Sequence, residues 1–335
     1  MRFGLFVTNQ FAPGEDHARR FAEMLEYVRL ARDLGFLTIL SGQHFLSDPF
    51  PMLQPVAAVA RMAAEAGTMR VGVGIFLLPL LNPVQVAEDA ASLDVISGGR
   101  FIFGAGLGYR EEEDAAFGLG KGQRVPRLAE NLDVIRRLWR GEAVSLDRPD
   151  CRLAGARLSL RPLQQPHPPV WIAANNDAAV ARAAALGDAW IINPHAKLET
   201  IARQMGVYRE ALRAAGKPFP ADLPMIREIA VAETRAEAVH AVRPFLERKY
   251  QAYVRWGQHR VLPQADDMTV PFDDLVGDRF ILGGPAECAE AITRCAAVTG
   301  ATEMIFRLHW PGMDHATVLR SLRLLGERVR PRVAG

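Results

Sequence analysis

Short runs of β-branched and aromatic residues alternate with amphipathic stretches of helical period, and this alternation is the strongest regularity along the chain. RFGLFV (2–7) reads as a buried strand. Phe21, Leu25, Val28, Ala31 and Leu34 then recur at three- and four-residue spacing and stop at Gly35, a residue suited to close a helix. The strand FLTILS (36–41) follows at once. The same reading gives strands RVGVGIFLL (70–78), RFIFGAG (100–106), PVWIAA (169–174), AWII (189–192), MIREIAVA (225–232) and EMIFRL (303–308). Helices are expected near 53–66, 84–96, 127–140, 177–186, 197–215, 235–255, 285–298 and 315–329.

Helices leading straight into strands are the pattern of parallel βαβ units, whose crossovers are right-handed. Eight strands, each followed by helix and without a break in composition, predict one α/β domain spanning 1–335, a (β/α)8 TIM barrel. Two stretches, about 141–168 and 257–284, do not fit the repeat and are expected to be insertions covering one active site.

Composition changes this picture little. Of 335 residues 49% are hydrophobic and 23% charged, which suits a large buried core. Forty basic against 38 acidic residues, dispersed along the chain, give no footprint for nucleic acid or a membrane surface. Small-molecule chemistry becomes the default. MRFGLFVTNQ is too short in apolar residues for a secretory leader, so a cytoplasmic protein is expected. Cys151, Cys288 and Cys295 lack metal spacing, and no metal site is expected.

Candidate chemistry lies where strands end. In a barrel the carboxyl ends of the strands form the catalytic face, and His44 sits just past the second strand, where it can exchange a proton near neutral pH or simply bond a loop carbonyl. Asn175-Asn176-Asp177 lies between a strand and an Ala-rich helix; it can cap that helix, or its backbone amides can bind a phosphate if the Asp177 carboxylate points away. Gly104, Gly106 and Gly108 lack dinucleotide-loop spacing, and are read as letting a ligand approach the strand end. The run at 77–83 offers a loop wall or a dry surface for a flat ring. Phe6, Phe76, Trp190 and Trp310 are core or cofactor contacts.

These residues, taken together, resemble a known family. DVISGGRFIFGAGLGYREEE (94–113) is similar to the signature of the bacterial-luciferase-like, flavin-dependent monooxygenases. So are LARDLGF (30–36) with GQHF (42–45), LLPLLNPV (77–84), QQPHPPVWIAA (164–174) with AAALGDAWI (183–191), and RFILGGPAE (279–287) with FRLHWPGM (306–313). The resemblance implies a luciferase-like barrel with insertions, usually a homodimer, binding reduced FMN or the deazaflavin F420 at the carboxyl face. In the FMN members a separate flavin reductase supplies the reduced cofactor, and O2 adds to it to give a C4a-hydroperoxide that oxygenates a small substrate in a water-poor pocket. An F420-dependent reductase or dehydrogenase transferring hydride without O2 is the alternative, and a non-catalytic flavin-binding protein the third. A basic cluster at Lys197 and Arg279 would favour F420.

The resemblance assigns His44 as the active-site proton donor or acceptor. Gly74 and Ile75 match a place where many members have a cis peptide against the flavin. Leu107 and Gly108 match the segment beside it, and Asn175 and Asn176 the phosphate turn. Three positions depart from the pattern. Gln43 replaces a common acidic residue, which removes the expected carboxylate partner of His44. Leu107 stands where the luciferases have arginine, and Asn175-Asn176 where many members have small residues.

Overall fold

A computed structural model describes residues 1–333. Several helix starts use local chemistry: Asp16 accepts from the Ala18 and Arg19 amides, and Thr234 with Glu237 forms a reciprocal capping box. The strands are β1 (Arg2–Phe6), β2 (Thr38–Ser41), β3 (Arg70–Leu77), β4 (Phe101–Gly106), β5 (Val144–Arg148), β6 (Cys151–Ala156), β7 (Val170–Ala174), β8 (Ala189–Ile192), β9 (Pro224–Val231), β10 (Phe280–Gly283) and β11 (Glu303–Arg307). The helices are α1 (His17–Asp33), α2 (Pro55–Ala63), α3 (Pro83–Ile96), α4 (Glu111–Ala116), α5 (Arg124–Trp139), α6 (Asp177–Leu186), α7 (Leu198–Ala214), α8 (Arg235–Arg255), α9 (Phe272–Val276), α10 (Pro285–Thr299), α11 (His315–Leu324) and α12 (Arg330–Val333).

Eight parallel strands close in the order β11, β1, β2, β3, β4, β7, β8, β9, with β9 pairing back to β11. This is the (β/α)8 barrel the alternation predicts. Its lumen is filled by Leu40, Ile102, Trp171, Ile191 and Ile305, and a second apolar layer lies between strands and helices. Trp190, Trp310 and Phe76 are fully buried in that second layer, whereas Phe6 belongs to the lumen.

The two irregular stretches contain structure that the pattern does not predict. Segment 141–168 holds an antiparallel hairpin, β5 on β6, whose Arg148 bonds Glu130 and Asn131 of α5. Its alternation is broken by a register shift after Val144 and by the Arg148-Pro149-Asp150 turn. Segment 257–284 holds two single-turn 3-10 helices, α9 and the ninth strand β10, which pairs with the carboxyl half of β9. β10 is preceded by the five-residue α9 rather than by a full amphipathic helix, so the alternation that marks the equally short β8 is missing there.

The β3–β4 pairing carries a feature that shapes the catalytic face. Its register shifts between Val73 and Phe76, and the intervening Gly74–Ile75 peptide is cis. A side chain at Gly104 would stand 2.2 Å from the Val73 carbonyl, and one at Gly106 2.0 Å from Ile75 Cδ1. These two glycines therefore make room for the shifted strand rather than for a ligand, which corrects the sequence reading.

Candidate active site

The carboxyl ends of β1, β2, β3, β4, β7, β8, β9 and β11 surround a cleft with about 1280 Å³ of empty space, its mouth included. His44, Gly74, Ile75, Leu107, Gly108, Asn175 and Asn176 all line it. Separated by up to 132 positions in sequence, they meet because they lie in or just after four strands, β2, β3, β4 and β7, of one barrel. The segment beyond α8 contributes Gln258 and Val261 to the cleft lining, and no residue of 141–168 lines the cleft among the described residues.

His44 has a carboxylate partner after all, and Gln43 is not where to look for it. His44 Nδ1 lies 3.0 Å from Oε1 of Glu113, on α4, and the same oxygen accepts the Phe45 amide at 2.8 Å. Glu113 is 1% exposed, and Arg110 approaches it to 3.5 Å. An acceptor at Nδ1 fixes the ring so that Nε2 is directed the other way, toward Tyr109 Oη at 3.5 Å. Burial pushes the Tyr109 phenol well above its ordinary value, keeping it protonated. Gln43 has a structural task instead: Oε1 accepts the Leu77 amide at 3.0 Å and so pins the end of β3.

The Asn175-Asn176 turn ends β7 and starts α6. The Asn176 side chain accepts the Ala179 amide at 3.0 Å, and the remaining first-turn amides have no acceptor within the helix. Asp177 is turned aside: both carboxylate oxygens take a nitrogen of Arg203, at 2.7 and 2.8 Å, which holds the acid below the usual carboxylate range. The helix start is therefore positive toward the cleft. Leu107 brings no charge there, but Arg124, the first residue of α5, lines the cleft and pairs with Asp114.

Several residues were outside the sequence-based selection. His195 follows β8, and burial beside Lys249, Arg307, Arg279 and Arg227 drives its pKa well below the usual value, so the ring is neutral. Arg307 ends β11, and Gln10, Asn9 and Tyr253 lie near it in the cleft wall. Their position at strand ends is the signal that could have found Arg307 and His195. Lys249 forms a wholly buried pair with Glu228, and desolvation lowers its pKa to about 7. Arg279 is spent on the carbonyls of His195 and Asp267, and neither it nor Lys197 lines the cleft. Among the described residues no cluster of three or more His, Cys, Asp or Glu is arranged to hold a metal, and no helix is long and apolar enough to cross a membrane.

Comparison with known proteins gives a consistent result. Residues 1–303 match the profile described as luciferase-like monooxygenase. The oxygenase component of a flavin-dependent trigonelline monooxygenase from Acinetobacter baylyi is 26% identical over 92% of this chain and 85% of its own. Alignments to this and three other curated relatives cover 62% to 92% of those proteins. Among solved structures, monooxygenase RslO1 from Streptomyces bottropensis superposes with a TM-score of 0.86, 26% identity and 99% coverage of both chains. An F420-dependent secondary alcohol dehydrogenase shares the fold at a TM-score of 0.80 and 19% identity, covering 99% of this chain and 98% of its own.

Proposed function

Since the chain belongs to the luciferase-like monooxygenase family, we propose that it is the oxygenase of a two-component system, using reduced FMN from a separate reductase and O2 to oxygenate a small organic substrate. The residues present fit FMN. The free first-turn amides of α6, with Asp177 held away by Arg203, suit a phosphate, and Arg124 adds a cation. Ile75, Leu77 and Leu107 supply an apolar wall for the ring system, beside the left-handed Gly108 at φ 70°. FMN supplies the two electrons needed to activate O2.

The chain's own residues do the rest. Glu113 orients His44, and His44 Nε2 holds or passes a proton beside the Tyr109 hydroxyl at the cleft wall. The apolar part of the lining disfavours water, and Gln258 and Val261, beyond α8, add to the cleft wall. The observation that carries the reading is the His44–Glu113 pair standing in the same cleft as the phosphate-suited end of α6. F420 is the weaker reading because the Lys197 and Arg279 side chains, which would suit its oligoglutamate tail, stand outside the cleft. The pair also supports an enzyme over a flavin-binding protein without chemistry.

The test is His44→Ala. Reoxidation of bound reduced FMN by O2, or turnover of an identified substrate, should fall by about 100-fold, with FMN affinity changed less than about twofold. Unchanged rates would remove the role assigned to His44.

A further inference from the structure

Two arginines and no carboxylate line the cleft among the described residues. Arg124 is already paired with Asp114. Among the described residues Arg307 makes no ion pair with an acid: Nε donates to Thr8 Oγ1 at 3.0 Å and Nη2 to Gln10 Oε1 at 3.1 Å, while the guanidinium stacks 5.2 Å from the Phe6 ring centroid. Nη1 carries neither of these bonds. A guanidinium cannot shed its charge, and the carboxylate whose field reaches it, Glu228, is already paired with Lys249, so burying Arg307, 6% exposed, is costly unless a further anion arrives. Beside it Gln10, 1% exposed, has its Nε2 without a hydrogen-bond partner. Its orientation is fixed by the Oε1 bonds from Arg307 and from Tyr253 Oη at 3.4 Å, so Nε2 must remain the donor.

The location separates this group from the flavin-suited wall. β11 is divided from β3 by β1 and β2 on one side, and from β7 by β8 and β9 on the other. In the ring of strands Arg307 is three strands from Ile75 and three from the start of α6, with the Phe6 ring standing between Arg307 and Gly74. We infer that this side of the cleft is a substrate subsite for a carboxylate, received by Arg307 and the Gln10 amide, so the substrate is an organic acid with an apolar body. The inference rests on the proposed oxygenase reading for the word substrate, and on Arg307 and Gln10 alone for the anion. Phe6 and Ile226, which also line this side, suit the apolar body.

Calorimetric titration of the whole protein, with and without FMN, tests it with benzoate, phenylacetate and hexanoate, each against its neutral amide. At least one acid should bind about tenfold or more tighter than its amide, the scale of a charge-assisted hydrogen bond. Arg307→Met should abolish that preference and leave FMN affinity within about twofold. Gln10→Glu, which keeps Arg307 but gives it an internal partner, should abolish it too, and remains informative if the methionine variant does not fold. Equal binding of acids and amides by the native protein, or a preference surviving in both variants, overturns the subsite. So does a more than tenfold loss of FMN affinity in Arg307→Met with the acid preference intact, which would assign Arg307 to the flavin. An Arg307-dependent acid preference in a protein that binds no FMN would leave the subsite standing and remove the oxygenase reading.

Discussion

Glu113→Ala takes the acceptor from two donors, His44 Nδ1 at 3.0 Å and the Phe45 amide at 2.8 Å. Arg110 keeps Glu112 at 2.6 Å, so it is not stranded. A buried donor without a partner costs about 1–3 kcal/mol. His44 can turn to cleft water and lies at the low end, whereas the Phe45 amide has no such recourse, which makes the expected loss about 3 kcal/mol. At an unfolding entropy of about 2.1 cal/mol/K per residue, a chain of this length loses about 4 °C in Tm. Glu113→Gln retains one acceptor oxygen and the side-chain shape but not the charge, so Tm should fall by half as much or less. Its effect should appear in chemistry: losing charge assistance, worth about 1–1.5 kcal/mol, slows oxidation of bound reduced FMN by O2 about tenfold. Differential scanning fluorimetry and stopped-flow flavin absorbance measure the two effects. A glutamine variant as fast as the native protein, or an alanine variant as stable, would refute the positioning role.

Arg203→Met frees the Asp177 carboxylate at the start of α6; FMN affinity should fall about three- to tenfold at low salt while riboflavin, which lacks the phosphate, binds within twofold of native. Equal losses for both flavins would place the phosphate elsewhere. His309, buried with its Nε2 2.8 Å from an Arg20 nitrogen, has its pKa lowered by burial and by Arg20 to about 3. The folded ring stays neutral while the unfolded one takes up a proton below about 6.5, so stability falls as pH drops from about 6.5 toward 3. Urea unfolding of His309→Gln at pH 7 and pH 4.5 should show a smaller acid loss than native; an equal loss contradicts the assignment.

The barrel was readable because parallel strands are buried on both faces and leave continuous apolar runs, and the helices between them carry a clean 3.6-residue stripe. β10 and the β5–β6 hairpin were not, because they fall outside the strand–helix alternation and the hairpin is interrupted by a register shift. The positions of His44 and Asn176 were legible from their place after strands, and those of Ile75 and Leu107 only through the family resemblance. The partner of His44 was not: Glu113 is the third of three consecutive glutamates, and only α4 decides that it, rather than the exposed Glu111 or Glu112, turns inward. The clear departure at Gln43 misled for the same reason, since sequence shows the neighbour along the chain and the barrel supplies the neighbour in space. Arg307 was visible as a residue at a strand end, but its lack of an acid partner exists only in the folded cleft.

The central claim is that this cleft holds FMN, its phosphate at the start of α6 and its ring against Ile75. Anaerobic titration of the purified protein with reduced FMN, and separately with reduced F420, tests it most directly. Saturable changes in FMN absorbance and fluorescence are expected at one cofactor per chain, weakened by Arg203→Met, with no comparable change for F420. Spectra of reduced FMN that stay unchanged at saturating protein, or binding of F420 alone, would contradict it.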